Sequence, residues 1–226
     1  ISNPEKFWSK FWDFSEIIGE KGNQILKMDN IFYKSKFFFD SKLNYSENIL
    51  KKKSRTIAIN FLSEKGFEEQ ITWNDLYDKV CKLSCYFKKI DLKKGDRVAA
   101  YVPNKIETII SFLACAKNGI IWSSCSPDFG VQGVVDRFKQ IEPKVLLFSD
   151  YYFYNNKKVD TTKVIKDVIY NIPSIEKIIL IPYEFNETDY QLDFEYDNLC
   201  KILQQEIAYS KFEKFNFNHP LYILYS

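Results

Sequence analysis

From about Ile57 onward, short apolar runs alternate with stretches in which apolar residues recur every three or four positions. TIAINFL (56–62) is β-branched and aromatic, bounded by charge, and predicts a strand. Thr72 with Asp75 three residues on predicts a helix start, and Leu76, Val80, Leu83 and Phe87 then share one helical face. Gly95 and Asp96 turn the chain into the apolar run VAAYV (98–102), a second strand. Ile106, Ile109, Ile110 and Leu113 mark a helix that stops near Asn118 and Gly119. The strand IIWSSCS (120–126) follows, then a helix carrying Val131, Val134, Val135, Phe138 and Ile141, ended by Pro143. KVLLFS (144–149) and KIILIP (177–182) read as strands on either side of a helix over Val164, Ile165, Val168 and Ile169. A last helix near Leu199, Ile202 and Leu203 precedes LYILY (221–225), expected as a buried strand covered on both faces. Apolar strands separated by helices predict an α/β fold, a mostly parallel sheet covered by helices.

The first 50 residues have another texture. Phe7, Trp8, Phe11, Trp12 and Phe14 fall on helical spacing and predict a short amphipathic helix whose aromatic face packs on the larger domain. Phe37, Phe38 and Phe39 continue an irregular, aromatic-rich segment. Two parts are therefore expected, 1–50 as an extension and 51–226 as the α/β unit. The polar, acidic stretch from Tyr183 to Tyr196 is expected as a surface loop.

Composition narrows the partners. Of 226 residues, 46% are hydrophobic and 27% charged, the balance of a soluble globular protein. A net charge of +2 points neither to nucleic acid nor to a membrane surface. Arg55, Arg97 and Arg137 are the only arginines, so the bidentate phosphate reader is scarce. Cys81, Cys85, Cys115, Cys125 and Cys200 form no C-x-x-C pair and leave an odd one over, which favours reduced thiols and a cytoplasmic setting. Cys81 and Cys85 share a helical face, but a metal site would need ligands that the single histidine, His219, is too distant in sequence to supply. No segment approaches the ~20 apolar residues of a membrane span. The start of the chain lacks the pattern of a signal peptide. It begins without methionine and stops inside an apolar run, and both ends are read as cut.

Ligands of open α/β sheets bind beyond the carboxyl ends of the strands. Three such ends stand out: PNK after Val102, PDFG after Ser126 and DYYFYNNKK after Ser149. None is a glycine-rich phosphate loop. G-x-G-x-x-G, G-x-x-x-x-G-K-[ST] and G-x-S-x-G are all absent, which leaves dinucleotide dehydrogenases, P-loop enzymes and α/β-hydrolases without support. The residues alone give an α/β domain with no assigned chemistry. Asp128 is read as a helix cap, Arg137 as a structural ion pair or helix-end contact, Trp122 as core and His219 as a loop residue before Pro220.

The stretch from Gly95 to Asp150, above all WSSCSPDFG (122–130) and DRFKQIEPK (136–144), resembles the adenylate-forming acyl-CoA synthetases, and within them the acetoacetyl-CoA synthetases. FWDF near the start, LNYSENIL (43–50) and HPLYILYS (219–226) support the resemblance, which covers nearly the whole chain in order. It implies an ATP-dependent acid–thiol ligase that makes acetoacetyl-CoA from acetoacetate, ATP and coenzyme A through an acyl adenylate, with Mg2+ beside the phosphates. It also implies that Ser226 stands at the edge of the ATP-phosphate loop, that Lys157 meets a phosphate of coenzyme A, and that no catalytic residue and no metal ligand lies in this chain. At the second basic position of the family's CoA contact the chain has Tyr154, which cannot neutralise a phosphate. The alternatives are a ligase for acetate or propionate, or a stand-alone α/β binding module without catalysis.

Overall fold

The computed structural model describes residues 3–187, 189–206 and 211–225. Helix α1 (Pro4–Phe14) starts where Asn3 accepts a hydrogen bond from the Lys6 amide and Pro4 presets the first turn. The four two-residue strands β1 (Gly19–Glu20), β2 (Leu26–Lys27), β3 (Lys36–Phe37) and β4 (Lys42–Leu43) follow, then helix α2 (Tyr45–Ile49). The aromatic spacing of α1 is used only in part. Trp12 is buried 5.0 Å from Phe38, and Trp8 lies edge-on to Phe37 at 5.4 Å. Phe7 and Phe11 are largely exposed and Phe14 is 84% exposed. The two indoles cover the small cluster of Ile25 and Phe38 rather than the main core. That cluster is too small to hide five rings.

Strands β5 (Ile57–Leu62) and β6 (Glu68–Thr72) form an antiparallel hairpin outside the main sheet. Helix α3 (Trp73–Lys89) begins as expected, with Thr72 Oγ1 accepting from the Asp75 amide at 3.2 Å. Then come β7 (Arg97–Tyr101), α4 (Ile106–Lys117), β8 (Ile121–Cys125), α5 (Val131–Phe138) and β9 (Val145–Ser149). A second hairpin, β10 (Tyr151–Tyr154) and β11 (Lys157–Asp160), precedes α6 (Thr162–Asn171), β12 (Lys177–Ile181), β13 (Asp197–Asn198), α7 (Leu199–Gln204) and β14 (Phe215–Asn216).

The main sheet has five strands in the order β13-β12-β9-β7-β8, every pairing parallel. Its central strands β7, β9 and β12 are largely apolar because both faces are covered, while β8 carries Ser123 and Ser124 and the edge strand β13 is Asp197–Asn198. Val98, Ala100, Leu147, Ile179 and Ile181 pack under α3, α4 and α7, while the alternating Ala99, Tyr101, Leu146, Phe148 and Leu180 pack under α5 and α6. The predicted α/β class is what forms.

Residues 221–225 depart from expectation. They run parallel to β8 with one bridge, Trp122 to Tyr222, secured by the Trp122 amide to Leu221 O and the Ile223 amide to Trp122 O. Tyr222 is 48% and Leu224 75% exposed. Phe112 of α4 meets the Tyr222 ring at 6.0 Å, and Tyr225 donates to Arg137 O of α5. Those two contacts do not enclose the segment, so the expected double cover is not made among the described residues. The N-terminal segment is tied to the rest by β4, which pairs antiparallel with β14, and by Asn44, whose amide donates to Lys117 O and Glu213 O.

Candidate functional site

From β7 the chain moves to β8 on one side, then crosses back to β9 on the other. The helix after β7, α4, covers one face of the sheet, and the helix after β9, α6, covers the opposite face. The topological switch point therefore falls between β7 and β9, and the ends of these strands at Val102 and Asp150 flank the position where ligands of such sheets bind, the candidate crevice. Two of the three strand ends singled out in the sequence, PNK and DYYFYNNKK, are its rims. PDFG follows β8 beside them.

Asp150 organises this end of the sheet. It is buried, and its carboxylate accepts hydrogen bonds from the amides of Tyr151 at 3.0 Å and Tyr183 at 2.8 Å and from the Tyr190 hydroxyl at 2.7 Å. Burial and the bond to Asp150 hold the Tyr190 phenol protonated well above the usual range. The Thr161 hydroxyl donates to Ser149 O and the Thr161 amide to Asp150 O, which closes the base of the β10–β11 hairpin. On the other rim, the Tyr101 hydroxyl reaches the carbonyl oxygens of Pro127 at 2.5 Å and Phe129 at 2.8 Å and fixes the PDFG loop. Burial keeps this phenol protonated too, and pushes the neighbouring Cys125 thiol up to about 12. Lys105 is buried, donates to the carbonyl oxygens of Pro182 and Tyr183, and lies 3.4 Å from the Glu107 carboxylate. A charge-assisted donor there clamps the end of β12 to the PNK loop. Burial raises the nearby Glu69 carboxyl, while Lys105 works against that rise. None of these roles was readable from the sequence, where Asp150 and Lys105 marked strand ends and nothing more.

The hairpin carries Lys157. Asn155 and Asn156 both have positive φ, 48° and 63°, the pattern of a type I′ turn that suits the twist of a two-residue hairpin. One face of the hairpin, Tyr151 and Phe153, packs on Tyr183 at 5.0 and 5.4 Å, and Lys158 lies 3.6 Å over the Tyr151 ring. The opposite face carries Tyr152, Tyr154 and Lys157, with Tyr154 and Lys157 directly paired. Burial first, and then the Asp128 carboxylate of the PDFG loop, raises the Tyr152 phenol. Lys157 is exposed at the hairpin tip, and the Asn156 amide donates to Glu64 of the β5–β6 turn at 3.3 Å.

Other residues fall elsewhere. Asp128 does not cap α5; the cap position is Gly130, without a side-chain bond, because the Tyr101 hydroxyl already fixes the loop. Arg137 donates to Gly133 O at 2.7 Å and stacks 4.2 Å over Phe129, a structural role as expected. Trp122 is core. His219 lies within a loop and donates to Gly119 O at 2.7 Å, far from the crevice. Ser226 lies outside the described residues. Cys81 is buried and Cys85 half-buried on α3, and among the described residues no group of three or more His, Cys, Asp or Glu is placed to hold a metal. No helix among them is long and apolar enough to cross a membrane.

The sequence matches the family model of the AMP-binding enzymes over residues 46–226. It is 36% identical over 239 residues to the acetoacetyl-CoA synthetase of Xenopus tropicalis, covering 98% of this chain and 34% of the relative. It is 36% identical over 228 residues to the acetoacetyl-coenzyme A synthetase of Rhizobium meliloti (strain 1021), covering 100% of this chain and 35% of the relative. Its fold is similar to that of a solved acetoacetyl-CoA synthetase from Streptomyces lividans, with a TM-score of 0.88 at 26% identity over 100% of this chain and 35% of the other. The chain thus spans 34–35% of the length of these relatives. The match to the family model covers the whole parallel sheet and both rims of its crevice, and the chain belongs to the AMP-binding enzyme family.

Proposed function

We propose that this chain serves an ATP-dependent acid–thiol ligase that forms acetoacetyl-CoA. The observation that carries the reading is the 36% identity to acetoacetyl-CoA synthetases along 98% of the chain. In such a reaction the carboxylate of acetoacetate attacks the α-phosphorus of ATP and expels pyrophosphate. The thiol of coenzyme A then adds to the acyl carbonyl of the adenylate, loses its proton, and expels AMP. Mg2+, held with ATP, would offset the developing phosphate charge. Among the described residues no group of three or more His, Cys, Asp or Glu is placed to hold it.

The chain's own contribution is structural and positional. Residues 1–50 form the extension and 51–226 the first part of the adenylation domain. The PNK and PDFG loops and the β10–β11 hairpin shape the crevice, and Lys157 at the hairpin tip contacts a phosphate of coenzyme A. Ser226 stands at the edge of the ATP-phosphate loop. No catalytic role is assigned to any residue of this chain.

The test expresses the complete reading frame and follows pyrophosphate release. Release that depends on acetoacetate and exceeds that with acetate or propionate is expected, while the 226-residue chain alone gives none above a heat-killed control. Lys157→Ala should raise the KM for coenzyme A about tenfold, the equivalent of one charge-assisted contact of about 1.4 kcal/mol, without changing acetoacetate-dependent pyrophosphate exchange. A preference for acetate or propionate would move the substrate; release by the 226-residue chain would overturn the inactive assignment.

A further inference from the structure

Hairpin β10–β11 forms a two-stranded sheet of its own, apart from the five-stranded sheet. An isolated two-stranded hairpin is marginal in water, so what it packs against sets where its tip lies. Its packed face meets Tyr183, the second residue after β12. The sequence placed Tyr183 at the start of a surface loop, yet it is 5% exposed, with its ring against Tyr151 and Phe153.

Tyr183 is held at every polar atom. Its amide donates to Asp150 at 2.8 Å, and its carbonyl accepts from the buried Lys105 ammonium. That ammonium also lies 5.2 Å from the centre of the Tyr183 ring, 3.4 Å from Glu107 and 4.0 Å from Glu69 of β6. Burial raises the Tyr183 phenol, and a hydrogen bond with Ser63 opposes that rise. Ser63 opens the turn between β5 and β6, which its bonds to Phe67 close. The next two residues of this turn reach the hairpin itself. Glu64 accepts from the Asn156 amide at the tip, and the Lys65 ammonium lies 5.6 Å over the Phe153 ring. Three consecutive residues of one turn thus grip Tyr183, the hairpin tip and the packed face of the hairpin. Lys157 lies on the other face, paired with Tyr154 beside Phe153.

We infer that Tyr183 is a positioning residue: with the turn at 63–67 it fixes the β10–β11 hairpin so that Lys157 meets a phosphate of coenzyme A. The inference rests on the coenzyme A reading of Lys157. Side chains alternate between the two faces of a strand, so a tilt of the packed face carries Lys157 with it. A displacement of about 1 Å is enough to lose a well-placed contact. Tyr183 acts through Lys157, so no change at Tyr183 costs more coenzyme A affinity than loss of Lys157 itself.

The test measures the KM for coenzyme A and the acetoacetate-dependent pyrophosphate exchange of the complete protein. Tyr183→Leu removes the ring and should raise the KM about fivefold to tenfold, with exchange unchanged. Tyr183→Phe keeps the ring and should restore the parent KM. The double variant Tyr183→Leu, Lys157→Ala should be no worse than Lys157→Ala alone, about tenfold, where independent roles would multiply to about fiftyfold or more. If Tyr183→Leu does not fold, the exposed pair Glu64→Ala, Lys65→Ala takes its place, removes two grips of the turn, and should raise the KM about threefold. An unchanged KM in Lys157→Ala overturns the reading of Lys157 and this inference with it. With the KM of Lys157→Ala raised, three results overturn the inference alone: an unchanged KM in Tyr183→Leu or the exposed pair, effects that multiply in the double variant, or loss of pyrophosphate exchange in folded Tyr183→Leu.

Discussion

All five residues of β9 are buried, whereas β1, β4 and β14 are two residues long and each shows solvent at least one residue. The first strand is held by apolar area on both faces. The small sheet β1-β4-β14 is held by side chains that satisfy backbone groups: the Asn44 amide on two carbonyls, the Asn48 amide on Ile18 O, and the Asp40 carboxylate on the amides of Asn23 and Gln24. One chain thus stabilises its main sheet and its small sheet by different physics. Burial of a large ring is diffuse and strong, and a buried amide is local and costly only when its partner is lost.

Three measurements test that contrast. Phe148→Ala, in β9, empties a fully buried site between α5 and α6 and should cost about 3–5 kcal/mol in urea denaturation. Asn44→Ala should cost about 2–3 kcal/mol, since it removes the N-cap of α2 and two side-chain amide bonds, the one to Lys117 O buried and the one to Glu213 O partly buried. If the asparagine proved the costlier of the two, the small sheet would be the stronger lock and the contrast would reverse. The smallest effect concerns acid. The Asn23 amide above all, then that of Gln24, holds the Asp40 carboxyl below its ordinary value of 3.8, while partial desolvation opposes them. A group depressed in the folded state stabilises fully above its unfolded pKa, and that support is lost as pH falls through the lower folded value. Melting between about pH 5 and pH 2 should therefore be less pH-dependent in Asp40→Asn than in the parent, whose advantage is present near pH 7 and fades toward pH 2. Identical profiles throughout would remove Asp40 from the account.

The contrast also explains what the sequence disclosed. β7, β9 and β12 are apolar but for Arg97, Ser149 and Lys177 at their ends and are flanked by turn residues, so burial wrote them plainly. The capping of α3 by Thr72 was equally plain, because the signal is local. β10 and β11 hid as a loop, since YYFY and KKVD face a ring cluster on one side and solvent on the other. Asn155–Asn156 was the available sign of that hairpin. The exposure of Phe14 and Leu224 was not legible either, because apolar residues announce burial whether or not a neighbour arrives. At the crevice, the strand ends were visible, but the reversal between β7 and β9 was not. Strand order is set by crossovers, which leave no mark in a linear pattern.

The bridge between Trp122 and Tyr222 has a kinetic side. It closes a loop of 100 residues, the separation of Ser123 from Ile223, whose carbonyl accepts from the Ser123 hydroxyl. At about 5–20 residues per second, synthesis leaves the outer edge of β8 without this neighbour for about 5–20 s after the strand itself is made. During that interval Trp122 and Ser123 present an open hydrogen-bonding rim to the crowded exit of the ribosome. Until residues 221–223 arrive, β8 is therefore an unpaired edge of the main sheet.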